Sequence, residues 1–596
     1  MCVDSDELDS THTPFGITSL RHAFPFLSQS KSAPLTKAQR TAYALRRRFM
    51  AFSTVLSVGL CCGVHPLVAQ TSHSVPAVIA AADSFPTNDT RDVLIAALRF
   101  LIPRTLESHS AHDFSVWGLD GLTAIDPSIT IQEDPAPQPH GASNTEKSAP
   151  EMALSVLRGQ TILFQRVIPA ENNIQAWAAL VADALHAGWH ASEAIQQNGA
   201  DALLQSFFDE LFNHLDPYSR YLAPSFANND RQKRVGHDGS IGVTLENSGH
   251  NVVISAINAN GPAWEAGLDI GQRILSVDGH STRSQPAEHI QTLLEGDTGT
   301  DVALVTSGSG RNHNSVTLTR ASVPPETVFL SHSGRYPVLK ITSFSSETAE
   351  EMSQYLSQLL PPDDDITPHK GHSHSIPGLI LDLRGDRGGV VQQAVTTAAL
   401  FLDHGIAVTT HGRYPQANHI WAVQGGDMTQ GAPIVILVDG QTASASEILA
   451  SALADHRRAV VVGSETLGKG LTQVIGQMPN GGELFVTWSR NQAPLGWPLQ
   501  GLGVMPQICT SLGGTSLDDQ IKALEHGHSL MENALHTARA TRAPVSVSKI
   551  LSIRNQCPAA LGSDNDMEIA AAVLGSPQLY STALTAIPDE NSAPLH

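Results

Sequence analysis

From Pro324 to about residue 510, short apolar runs alternate with stretches of helical periodicity. VLKITSF is followed by ETAEEMSQYLSQLL, and then come LILDLRG, AVTTAALFL, IVILVDG, ASEILASALAD and AVVVG. Strands that are apolar at every position, separated by helices, predict an α/β core whose sheet is covered on both faces. Residues 240–321 read differently. The strand-like runs IGVTLE, VVISAI, QRILSV and DVALV, with the short helical pieces PAWEAG and PAEHIQTLLEG, predict a small β-rich domain. Upstream, DVLIAALRFLI at 92–102 fits a helix buried on one side. Apolar residues recur at three- and four-residue spacing from about 151 to 214, through AWAALVADALHAGWH and ALLQSFFDELFNHL, and predict a second helical region. Between these two, QEDPAPQPHGASNTEKSAP at 132–150 is polar, Pro-rich and aperiodic, as a linker is. The predicted order is a leader at 1–69, a mainly helical region at 70–235, the β-rich domain at 236–323, the α/β core at 324–510 and a helical tail at 511–596.

The leader carries its own signal. Arg46, Arg47 and Arg48 directly precede an apolar stretch from Phe49 to Val64, which ends in Pro-Leu-Val-Ala69-Gln. This is the anatomy of a secretory signal behind a long leader, with cleavage after Ala69 and a periplasmic or secreted address. The stretch is short for a bilayer span, but left uncut it would hold the chain at a membrane.

Composition narrows the classes further. The chain of 596 residues is long enough for three or four domains, and its 57 Asp+Glu against 36 Lys+Arg give a formal charge of −21. That balance excludes a general nucleic-acid binder, because phosphate binding requires clustered Lys and Arg. Loss of the leader would leave Cys509 and Cys557, either one disulfide or two buried thiols. His369, His372 and His374 lie in PPDDDITPHKGHSHS, an exposed-loop composition with no element to fix ligands, so neither a metal nor another cofactor is expected.

The chemistry concentrates after the strand IVILV. A small-residue turn leads into a helix that begins at or just after Ser444, placing a hydroxyl at the helix's positive end. Ser444-x-x-Glu447 is equally a capping box, in which serine only caps the helix. In AVVVGSETLGKGLTQVIGQ, Lys469 stands between glycines 25 positions after Ser444. If it were desolvated in such a turn, its amine would become neutral and could take the serine's proton, with Gln473 orienting it.

LDPYSRYL at 215–222, LDLRGDRGG at 381–389, TASASEI at 442–448 and GKGLTQ at 468–473 together resemble the carboxyl-terminal processing proteases. GSIGVTLE and GPAWEAGLDIGQRILSVDG resemble the carboxylate-binding loop and central stretch of a PDZ domain. The resemblance covers about residues 200–510. It implies an α/β protease core with an inserted PDZ-like domain and a helical N-terminal region. It also implies Ser444 as nucleophile, Lys469 as base and Gln473 as its partner, with an oxyanion hole formed by the Ala445 N–H and one from Gly388 or Gly389. The PDZ likeness makes Gly239, Ser240, Ile241 and Gly242 the peptide-binding residues, and protein or peptide substrates with free apolar C-termini the partners. The chain departs from the family's pattern at Asp386-Arg387, where Asn-Pro or Asn-Gly is usual, and at Gln507, where an acidic residue is usual. Residues 70–200 and 511–596 match nothing in that family, and both core packing and self-association are open to them.

Two other classes are weighed. GSETLGKG nearly spells a phosphate-binding loop, but Gly470 stands where a magnesium-binding hydroxyl is needed, and LTQVIGQ alternates like a strand. A non-catalytic protein that captures chain ends on the PDZ-like domain is the stronger alternative.

Overall fold

The computed structural model describes residues 85–136, 151–235, 239–258, 261–307, 313–360 and 376–589. The leader, residues 137–150 of the expected linker, and His369, His372 and His374 lie outside the described residues.

The α/β core is a six-stranded sheet. Strands Tyr336–Ile341, Leu379–Asp382, Ile434–Val438, Ala459–Gly463 and Ile508–Cys509 run parallel in that spatial order, and Val328–Ser333 closes one edge antiparallel. Their continuous hydropathy has a simple cause, since alternate residues face opposite layers and both layers are apolar. Leu339, Leu379, Leu381, Ile434, Ile436 and Val461 pack with the helices Val391–Ala399 and Ala445–Asp455. Val338, Ile380, Val435, Leu437, Val460 and Val462 pack with the tail helices Gly514–Glu525, Asp564–Gly575 and Pro577–Thr585. The tail therefore belongs to the core as one of its two covering layers, and a Cys509–Cys557 disulfide joins it to the last strand.

A second, antiparallel sheet of the strands His419–Gln424, His404–His411, Glu483–Gln492 and Leu471–Gln477 stands beside the first. The short strand Arg220–Leu222 pairs with Glu483–Phe485 and draws the N-terminal region into this sheet. That pairing sets the LDPYSRYL segment against the core.

The N-terminal region corrects two expectations. Residues 152–167 are strands, Met152–Arg158 and Thr161–Val167, and not the start of the second helical region. Ile129–Pro135 pairs with the first of them, so the expected linker begins as a strand. The helical periodicity of 151–214 resides in Ile174–Ala191 and Ala200–Asn213, whereas MALSVLR and TILFQRV pair in a hairpin turned at Gly159, which has φ 61°. The β-rich domain is formed as expected. Its path runs Val243–Ser248, Asn251–Ile257, Arg273–Val277, Asp301–Ser307 and His313–Thr319, with Val243–Ser248 at one edge.

Candidate functional site

The serine turn is fixed before any side chain of the site is considered. At the end of the strand Ile434–Val438, Asp439 Oδ1 accepts from the N–H groups of Gln441, Thr442 and Gly385 at 2.9–3.0 Å. Thr442 Oγ1 donates to the Leu383 carbonyl at 2.9 Å, tying the turn to the neighbouring strand end. Ser444 follows with φ 58° and ψ −115°, a region that non-glycine residues rarely occupy and that the surrounding structure must enforce. It is 4 % exposed and opens the helix Ala445–Asp455, at whose N-terminus a developing negative charge is stabilised.

Glu447 does more than cap that helix. Its Oε2 accepts from the Ser444 N–H at 2.8 Å and from the Lys469 N–H at 2.9 Å. Its Oε1 accepts from the Gly468 N–H at 2.7 Å and from the Thr466 hydroxyl. One carboxylate oxygen thus bridges the two candidate residues and holds their backbone nitrogens no more than about 6 Å apart. Glu447 is fully buried, and this burial pushes its carboxyl up against the opposing effect of its four donors.

Lys469 is 4 % exposed. A side chain on the neighbouring Gly470 would place its Cβ 2.1 Å from the Gln500 backbone nitrogen, so the turn can pack this closely only without one. Burial pushes the Lys469 amine down to about 7, with help from the Arg220 charge and against Asp216 and Glu447. Its Nζ lies 4.6 Å from the centroid of the Tyr218 ring. Gln473, 2 % exposed, donates through Nε2 to the Tyr218 carbonyl, and its buried Oε1 has no hydrogen-bond partner among the described residues. Ser444 and Lys469 therefore meet on Glu447, and Lys469 and Gln473 meet on Tyr218. A neutral amine can take a proton from an alcohol that comes within hydrogen-bond reach of it.

LDPYSRYL supplies three residues that sequence reasoning left without a role: Asp216, Tyr218 and Arg220. Asp216 Oδ1 accepts from the Tyr218 and Ser219 N–H groups and from the Thr487 hydroxyl, pinning the segment to the antiparallel sheet. The motif was visible, but its distance from Lys469 in the chain hid the contact. The reach of Glu447 was hidden for another reason, because the capping box accounted for it fully.

The two glycines considered for the oxyanion hole face different neighbours. A Cβ on Gly388 would lie 2.7 Å from the Ala445 nitrogen and 2.9 Å from Ser444 Cβ, whereas one on Gly389 would lie 2.1 Å from the Phe344 carbonyl oxygen. Gly388 is thus the glycine that packs against the Ser444–Ala445 turn, and its N–H donates to Asp386 Oδ1 at 2.7 Å.

In the β-rich domain, a groove of about 430 Å³ runs between the edge strand Val243–Ser248 and the helix Ala287–Leu294. Ser240 and Gly242 line it, but Gly239 and Ile241 do not. Ile241 is fully buried in the domain core, and a Cβ on Gly239 would meet the Gly296 carbonyl oxygen. Ser240 Oγ accepts the Gly242 N–H at 3.0 Å, and Gln291 Nε2 donates to the Val243 carbonyl at 3.1 Å. Glu288, Glu295 and Glu326 also line the groove, with no Lys, Arg or His among the lining residues.

The phosphate-loop alternative fails on geometry, since Leu471–Gln477 is a strand paired with Glu483–Gln492 and no helix follows the glycines. Among the described residues, no helix is long and apolar enough to cross a membrane.

Two family models match parts of the chain, and curated relatives match about half of it. Residues 335–510 match the model for peptidase family S41, and residues 253–306 match that for the PDZ domain. A carboxy-terminal-processing protease of Bartonella bacilliformis is 30 % identical over 309 residues, covering 51 % of this chain and 69 % of its own. A carboxyl-terminal-processing protease of Picosynechococcus is 31 % identical over 298 residues, covering 49 % and 69 %. A solved photosystem II D1 C-terminal processing protease is 28 % identical over 50 % of this chain and 81 % of its own, with a TM-score of 0.30. With a PDZ domain set between its N-terminal region and its α/β core, the chain belongs to the carboxy-terminal processing proteases of peptidase family S41, which are serine-type peptidases.

Proposed function

We propose that the protein is a secreted endopeptidase that cleaves proteins near their C-termini, with Ser444 as nucleophile and Lys469 as general base. Ser444 Oγ attacks the scissile carbonyl carbon while its proton passes to the neutral Lys469 amine. The resulting oxyanion is met by the Ala445 N–H and the Gly388 N–H at the helix N-terminus. As the C–N bond breaks, Lys469 returns the proton to the leaving amine, and water then releases the acyl group by the same route. Gln473 orients the lysine through its free Oε1 while anchored to Tyr218 by Nε2. The PDZ groove takes the substrate's C-terminal segment as an added strand along Val243–Ser248, with its apolar end toward Ser240 and Gly242.

The observation that carries this reading is the single Glu447 oxygen that accepts from the backbone N–H groups of both Ser444 and Lys469, together with a lysine amine that burial holds near neutrality. The test is incubation of the protein with an unstructured peptide bearing an apolar free C-terminus, with Ser444→Ala and Lys469→Ala in parallel and mass spectrometry for the acyl-enzyme. Cleavage surviving in both variants overturns the assignment. Binding without turnover by the unsubstituted protein favours the capture protein instead.

A further inference from the structure

The loop that carries Gly388 contains a group that the reaction above does not use. Asp386 is fully buried. Its Oδ1 accepts the Gly388 N–H at 2.7 Å, and its Oδ2 is buried with no hydrogen-bond partner among the described residues. The Asp386 carbonyl accepts from the Ala443 N–H at 2.9 Å and lies 3.4 Å from Ser446 Oγ, so the residue is held against the serine turn from both sides.

We propose that Asp386 is a positioning residue that gates the oxyanion hole, because its carboxylate occupies the Gly388 N–H and places a negative charge beside the forming oxyanion. The proposal rests on the reading of Gly388 as an oxyanion donor. An ionised Asp386 binds that N–H strongly, as charged acceptors do. The oxyanion is then left with one fewer donor and a like charge nearby, and one such donor is worth about 10²- to 10³-fold in kcat. Protonation makes Asp386 a weaker acceptor and removes the charge.

The charged neighbours do not cancel this effect. Lys340, on the strand Tyr336–Ile341, faces Asp386, but its Nζ lies 3.4 Å from Asp382 and 3.3 Å from the Arg384 carbonyl. Arg384 bonds Asp382 and Asp566. From the helix Ala445–Asp455 the facing group is the neutral Ser446 hydroxyl. Burial pushes the Asp386 carboxyl up to about 7, against the lowering effects of Gly388, Ser446 and Lys340. The active form then combines a neutral Lys469 with a protonated Asp386. Both groups titrate near pH 7, so the rate peaks there and falls on both sides.

The experiment measures kcat against pH from 5 to 10 for the unsubstituted protein and for Asp386→Asn, with Asp386→Ser as a second variant should the first fail to fold. The expected results are a bell-shaped profile for the unsubstituted protein, and a variant profile that rises and then stays level. At pH 9 the variant's kcat should be about 10- to 100-fold higher, with little change in KM. A profile without an alkaline fall in the unsubstituted protein, or an alkaline fall retained in the variants, overturns the proposal. Should Ser444→Ala and Lys469→Ala both still cleave, the underlying reading fails instead, so the two failures are distinguishable.

Discussion

Replacing Lys469 with methionine should inactivate the protein and at the same time stabilise it, and the gain should depend on pH in a defined way. In the fold the amine titrates near 7 because it is buried, whereas in the unfolded chain it titrates near 10.5. Between those values the unfolded chain binds more protons, so the lysine's contribution to stability rises with pH across this window. Below about pH 7 the folded protein carries the full cost of burying the charge, about 5 kcal/mol. Methionine has no proton to bind. The variant should therefore be more stable than the parent by up to about 5 kcal/mol at pH 6, and the gap should close as the pH approaches 10.5. Subtracting the two stability curves cancels buried carboxyls that both proteins share and that do not act on the lysine, such as Asp386. The same shift leaves about half of Lys469 neutral at pH 7, against about 3 in 10⁴ for an ordinary lysine. Thermal unfolding of both proteins at intervals from pH 6 to 10 measures the gap. A gap that does not change with pH, or a parent more stable than the variant at low pH, refutes the buried-amine argument.

Other outcomes follow from the same geometry. Ser444→Gly and Ser444→Ala should both abolish cleavage, but the glycine variant should be the more stable by about 1 kcal/mol, because the strained φ of 58° costs glycine nothing; equal melting temperatures would count against strain at this turn. Gln473→Leu should lower kcat about tenfold, the worth of the one hydrogen bond proposed to form between its Oε1 and the lysine during the reaction, without raising KM for a peptide substrate. Because Glu288, Glu295 and Glu326 line the groove without a basic residue, peptides with Lys or Arg just before an apolar C-terminus should bind more tightly than acidic ones. That preference should fade at high salt in fluorescence-anisotropy titrations, and indifference to tail charge would refute it.

How far the sequence could be read depended on whether the deciding contacts were local. The strand pattern of the core was legible because both faces of its sheet are covered, so every residue of ILV and VVV runs is apolar for one layer or the other. The β-hairpin at 152–167 was not legible, since MALSVLR and TILFQRV adjoin a strongly periodic helix and were absorbed into its pattern. Ser444 and Lys469 could be singled out from their turns, and Gly388 could be narrowed to a pair. What no local pattern carried was the long-range part of the site. Glu447 bonds the lysine turn 21 and 22 residues away, and Gln473 meets Tyr218 across 255 residues. Tyr218 reaches the amine only because Arg220–Leu222 joins the sheet at Glu483–Phe485. The PDZ loop shows the opposite limit. All four of its residues were expected at the groove, but only Ser240 and Gly242 line it, and the Ile241 side chain packs in the domain core.

The short pairing of Arg220–Leu222 with the long strand of the second sheet has a practical consequence for dissecting the protein. A fragment restricted to residues 324–510 would contain the nucleophile and the base, but would lack the tyrosine ring beneath the amine and the arginine that helps to keep it uncharged. It would also expose the sheet face that the tail helices cover, an apolar surface bounded by Val338, Ile380, Val435 and Leu437. Such an excised core should aggregate, and peptide-cleaving activity should not be recoverable from it by refolding alone. The minimal working unit is set by what touches the lysine, and it extends well beyond the segment that the family model recognises.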